Sequence, residues 1–117
     1  MYKSAKNPND LEKYFVERAN RGDVEGLVAL YEADAIIAYK ENEIEKGRKQ
    51  IQEFFKRFLA NHPQFDPSVQ AEALCSGELA LTSSRTGNGD ITAEIARRQP
   101  DGSWLWVVDQ FTIATNK

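Results

Sequence analysis

The chain has 117 residues, of which 41% are hydrophobic and 28% charged, with a net charge of −3. That length suits one domain, here spanning residues 1–117, with a hydrophobic core that needs no covalent staples, and the composition excludes disorder over the whole chain. Nucleic acid is disfavoured as a partner because it requires concentrated positive charge, whereas Lys46, Arg48 and Lys49 lie among acids such as Glu43 and Glu45, and Arg97-Arg98 is only a doublet.

Residues 1–8 read as a loose lead-in. Met1 to Lys6 has no hydrophobic stretch after its lysines, so a signal peptide is not expected. No apolar run approaches the roughly 20 residues of a membrane helix, and a cytoplasmic location is the expectation. Asn9-Asp10-Leu11-Glu12 can cap a first helix, with Leu11, Phe15 and Ala19 on one apolar stripe. Gly22 closes it and Asp23 caps a second helix, whose buried face holds Val24, Leu27, Val28, Leu30 and Tyr31 and which runs out at Glu32-Ala33-Asp34. Ala35 to Tyr39 reads as a strand and Lys40 to Lys46 as a turn or hairpin tip.

Gly47-Arg48 leads into a third helix, where Ile51, Phe54, Phe55, Phe58 and Leu59 form a strongly amphipathic pattern. His62-Pro63 breaks it. Strands are expected over Val69–Ser76, Leu79–Arg85, Ile91–Gln99 and Trp104–Ala114, separated by turns at Gly77-Glu78, Gly87-Asn88-Gly89-Asp90 and Pro100-Asp101-Gly102-Ser103. Cys75, the single cysteine, reads as a small apolar residue, buried or half-buried, and fits a reducing compartment. Helices segregated from a run of antiparallel strands make the fold class α+β.

Four stretches carry a family likeness. They are Asn20-Arg21-Gly22-Asp23 with Leu27 to Tyr31 and Asp34-Ala35, then Gly47-Arg48 with Ile51 and Phe54-Phe55, then Gly77 to Leu81, and finally Arg97 to Trp104 ending with Asp109. In this order and spacing the chain resembles the NTF2-like superfamily, the fold of ketosteroid isomerase, and is most similar to its small SnoaL-like branch, including proteins of the DUF4440 type. The resemblance implies a cone. Three N-terminal helices pack on a strongly curved, mainly antiparallel sheet, leaving an apolar pocket at the open end. It does not imply one activity, since the superfamily hosts isomerases, dehydratases, cyclases and non-catalytic assembly domains.

The isomerase reaction needs a carboxylate base and a hydrogen-bonding oxyanion hole. The resemblance aligns its tyrosine donor with Phe15, its base with Tyr39 and its partner acid near Glu94, so the constellation is broken at two of three points. The His and Asp of cyclases and dehydratases would require His62 inside the cone, but it precedes a proline in a polar loop and is expected at the surface. Asp109 stands in an otherwise apolar strand, and alternation puts it on one face with Leu105, Val107 and Phe111. It is either a general base or ligand acceptor with a raised pKa, or the ion-pair partner of Arg97 or Arg98. A bulge would reverse the facing and substitute Gln110. Glu94 and Arg98 share one face of their strand and Arg97 takes the other; an inward arginine would bind an anionic ligand.

Three readings result. In the first, a small hydrophobic or carboxylate ligand occupies a pocket of Tyr31, Tyr39, Phe55, Phe58, Glu94, Arg97 and Phe111, with Asp109. In the second, an isomerase, dehydratase or cyclase uses Asp109 as acid–base with Tyr31 or Tyr39 as donor. In the third, a non-catalytic homodimer forms through the sheet's outer face, which would carry Trp104 and Trp106 if Asp109 points in; the resemblance implies a homodimer through this face under the first two readings as well. No cofactor is expected. No metal is expected either, since histidine and cysteine pairs and calcium-loop spacing are missing.

Overall fold

The computed structural model describes residues 2–40 and 43–115. Helix α1 spans Asp10–Asn20 and buries Leu11 and Ala19, with Asp10 and Glu12 in its first turn. Gly22, at φ +70°, closes it in the left-handed conformation that glycine tolerates. Helix α2, Val24–Val28, is capped by Asp23, whose carboxylate accepts from the Gly26 N–H at 3.0 Å. It is shorter than its apolar pattern suggested. Tyr31 opens strand β1, Tyr31–Ala38, instead of closing the helix. β2, Ile44–Lys46, folds back on β1; the tip residues 41 and 42 of the expected turn lie outside the described residues. Helix α3, Gly47–Phe58, buries Ile51, Phe54 and Phe55.

The remaining strands are β3 (Val69–Gln70), β4 (Leu74–Ser76), β5 (Leu79–Thr82), β6 (Ser84–Arg85), β7 (Ile91–Arg98) and β8 (Trp104–Ala114). Two of the four expected strands are thus each split in two: β3 and β4 pair with different partners, β6 and β5 respectively. The sheet order is β2-β1-β8-β7-β5-β4, with β6 also on β7. Every pairing is antiparallel except β1 on β8. The result is α+β, three helices on a curved and mostly antiparallel sheet.

From Tyr2 onward the lead-in makes contacts with the rest of the domain. Ala5 bridges to Trp104, the Lys3 carbonyl accepts from Arg18 at 2.9 Å, and the Tyr2 hydroxyl donates to Asp23 at 2.8 Å. Cys75, expected to be at least half-buried, is exposed, because β4 is a short strand at the sheet's end.

One irregularity decides the site. Ile95 pairs with Val108 and Ala96 with Trp106, so one step on β7 matches two on β8 and Val107 is the extra residue. A bulge of this kind resets which face later side chains take. Trp106 and Asp109, three apart, are therefore both buried on the inner face, while Val108 points out.

Candidate functional site

The inner face of the sheet and the helices enclose a cavity of about 530 Å³. The fully buried rings, Tyr31, Phe54, Phe55 and Trp106, belong to the core. The half-buried rings, Phe15, Tyr39, Phe58, Phe65 and Phe111, pack on that core and, with Trp106, wall the cavity. Tyr39 meets Phe58 and Phe111 edge-on at 5.7 and 5.6 Å between centroids, and Phe58 stacks on Phe65 at 5.7 Å. The rings line the space without filling it. The exposed Gln64 and Asp66 of the loop after α3, and Gly87 and Asn88 of the β6–β7 turn, form the mouth.

The polar end is built by register. Thr82, Glu94 and Asp109 lie directly opposite one another across β5, β7 and β8. Such opposed residues place their Cβ atoms about 4.5–5.5 Å apart. The Thr82 hydroxyl donates to Glu94 Oε1 at 2.6 Å, and the Trp106 indole N–H reaches Thr82 Oγ1 at 3.4 Å. The Tyr31 hydroxyl donates to Asp109 Oδ2 at 2.5 Å. From α1, Glu12 completes the group; its Oε2 accepts from the Ser68 hydroxyl at 2.7 Å.

Burial, which penalises the charged form, controls the protonation of all three acids. It pushes Asp109 well above the ordinary carboxylate range; the neighbouring Glu94 adds to the rise and the Tyr31 hydrogen bond opposes it in part. Glu94 is also raised by burial, against the hydroxyls of Thr82 and Thr92. Burial likewise lifts Glu12 to about 7, with Ser68 opposing and Glu94 adding. Tyr31, buried against Asp109, is raised well above its ordinary value and stays a donor. Burial thus favours the protonated forms of Asp109 and Glu94, beside a Glu12 carboxyl that at about 7 is poised to gain or lose a proton near neutral pH. That is the equipment of general acid–base chemistry.

Several sequence expectations need correction. Arg97 lies on the outer face, paired with Glu32 at 3.0 Å, and Arg98 pairs with Glu78 at 2.8 Å. Neither enters the cavity, and neither is the partner of Asp109, whose partner is Tyr31. Trp104 and Trp106 are buried, so the sheet's outer face does not carry them. Tyr39, Phe58, Glu94, Asp109 and Phe111 line the cavity, whereas Phe55 and Tyr31 stand behind its wall. His62 is exposed. Glu12 and Thr82 were missed. Glu12 precedes Phe15 by three and Val16 by four, the helical spacing that shares a face, and this was the available signal. Among the described residues no group of three or more His, Cys, Asp and Glu is placed to hold a metal ion.

The model of the SnoaL-like domain family matches residues 11–117. The chain belongs to this family. Solved structures similar to this SnoaL-like domain include an NTF2-like protein with a cystatin-like fold from Novosphingobium aromaticivorans, 21% identical, covering 86% of this chain and 75% of that one with a TM-score of 0.67. A ketosteroid isomerase-like protein from Erwinia carotovora atroseptica is 18% identical, with 87% and 89% covered and a TM-score of 0.70. A protein with a cystatin-like fold from Nostoc punctiforme is also 18% identical, with 87% and 84% covered and a TM-score of 0.70. At these identities the likeness is one of fold. No curated protein matches the sequence.

Proposed function

We propose that this SnoaL-like domain binds a small molecule inside its cone. The observation that carries the reading is the 530 Å³ cavity, which the protein's own rings wall but leave unfilled. Its size falls within the roughly 300–1,000 Å³ of ligand sites, and its apolar wall with a few convergent polar groups is their usual make-up. The test is native mass spectrometry of protein purified directly from cells, followed by crystallography of the same sample. Density against Asp109, matched by a mass increment, supports the reading; a dry cavity closed by movement of Tyr39 and Phe58 sinks it.

A catalytic reading has its own support in the displaced carboxyls. In an isomerase- or dehydratase-type reaction, Glu12 would take the proton, and Asp109, held by Tyr31, would donate to the developing oxyanion. The Phe15 and Tyr39 substitutions at the isomerase positions mean that any such reaction uses a different constellation. A homodimer through the sheet is supported by Leu74, Leu81, Ile95 and Val108, which form one row across β4, β5, β7 and β8 and are each at least 39% exposed. Leu81→Lys should convert such a dimer to monomer in light scattering; an unchanged mass would rule this face out. The exposed thiol of Cys75 fits a reducing, cytoplasmic setting.

A further inference from the structure

We infer that the cone takes an organic cation, a protonated amine or a quaternary ammonium group, held between its aromatic wall and the Glu12–Glu94–Asp109 carboxyls. The inference rests on the reading that the cavity is a ligand site and adds the charge of what fills it.

The titratable side chains facing the space come from four parts of the fold and have one character. Glu12 faces it from α1, Asp66 and Asp90 from the mouth, and Glu94 and Asp109 from adjacent strands; Tyr39 is the remaining titratable group. Among the described residues, no Lys, Arg or His lines the cavity. Arginines close to the site in sequence are committed outside it. Arg97 is on Glu32 and Arg98 on Glu78, Arg18, a buried residue of α1, donates to the carbonyls of Gly26 and Lys3, and Lys40 lies over the Tyr39 ring without lining the cavity. Among the described residues no side-chain cation meets the carboxyls, which leaves a proton or a bound cation to neutralise them. Glu94 and Asp109 are 3% and 4% exposed, deep enough that an unpaired charge there is costly.

The wall suits the same ligand. Ring faces attract cations through their quadrupole, and an aromatic box is a recurring way to hold an alkylammonium group. Phe15, Phe65, Phe111 and Trp106 supply that wall, Trp106 toward its polar end; Phe58 is stacked between Phe54 and Phe65, and Lys40 Nζ already lies 5.3 Å from the centre of the Tyr39 ring. An anionic ligand would meet five acids and no donor of positive charge. A neutral apolar ligand would use the rings and leave the acids to keep their protons, making no use of their capacity to carry charge. An ammonium group satisfies both halves of the cavity, and as it enters it should displace protons from the acids.

The inference is tested with three probes of one shape and different charge: choline, the uncharged 3,3-dimethylbutan-1-ol and the anionic 3,3-dimethylbutanoate. Each is titrated into the full chain at neutral pH while NMR follows the Trp106 indole and Phe111 amide signals. Choline should bind at least about tenfold more tightly than the alcohol, the acid should not bind, and calorimetry in two buffers should show proton release with choline alone. Asp109→Asn and, independently, Glu94→Gln should narrow the gap between choline and the alcohol. Preference for the alcohol overturns the charge inference and leaves the cavity reading standing. Silence from all three also overturns it; whether the cone holds any ligand is then read separately from the mass spectrum of the purified protein.

Discussion

Glu12 offers the sharpest test of the buried-acid site. Its carboxyl titrates at about 7 in the folded protein against 4.5 for the free side chain, because burial penalises the charge. A folded pKa above the unfolded one means that, between the two, the native state holds a proton that the unfolded state has lost. Stability then falls as pH rises through that window, from 4.5 to about 7, and stays low above it. The displacement corresponds to ~3 kcal/mol, since each pKa unit is worth ~1.4 kcal/mol. Glu12→Gln is neutral at every pH and keeps an oxygen to accept from Ser68. It should leave stability nearly unchanged at pH 4.5, raise it by up to ~3 kcal/mol at pH 8, and raise the melting temperature there by on the order of 10 °C. The assay is urea unfolding from pH 4.5 to 8 for both proteins. Wild-type stability that is flat or rising across this range would refute the reasoning, as would a Gln variant weaker than wild type at pH 8. A falling slope left in the variant points to Glu94 and Asp109, whose raised pKa values act in the same direction.

Asp109→Asn should retain or gain stability at neutral pH in thermal melts, because burial disfavours the charge of the acid it replaces and Tyr31 keeps an acceptor. Tyr31→Phe removes the donor and should cost about 1–3 kcal/mol; equal losses in the two variants would contradict a protonated Asp109. Trp106→Ala empties a buried site against Tyr31 and Phe15 and should cost about 3–5 kcal/mol in urea unfolding, with oligomeric mass unchanged in any protein that still folds. Gly26→Ala would bring a Cβ to 2.5 Å from Asp23 Oδ2; displacing that cap should cost about 1–2 kcal/mol, and a loss within ±0.3 kcal/mol in chemical denaturation would mean the cap shifts freely.

Much of the fold was legible locally. Apolar residues spaced by three and four mark α1 and α3. The Gly- and Pro-rich turns delimit β7 and β8, and the four family stretches, in order, specify the cone. Chain-local signals failed where two elements compete for one residue: Tyr31 fits the apolar face of α2, yet pairing with Trp106 on β8 draws it into β1. They failed again at Val69–Ser76, where pairing partners change midway and divide the strand.

The candidate site depended more heavily on tertiary structure. The sequence by itself determined that one acid, Asp109, stands in an apolar strand and that aromatic residues are plentiful enough to wall a pocket; that Phe15 and Tyr39 stand at the isomerase donor and base positions is what the family resemblance implies. Alternation alone put Trp106 opposite to Asp109. Only the bulge at Val107 brings both inward, and a bulge is set by hydrogen bonding to the neighbouring strand, which one strand's sequence does not encode. The same holds for the meeting of Glu12, Glu94 and Asp109, more than 80 residues apart at its widest, and for the outward turn of both arginines. Periodicity is a property of a segment; a pKa and a pocket arise from which segments the fold brings face to face.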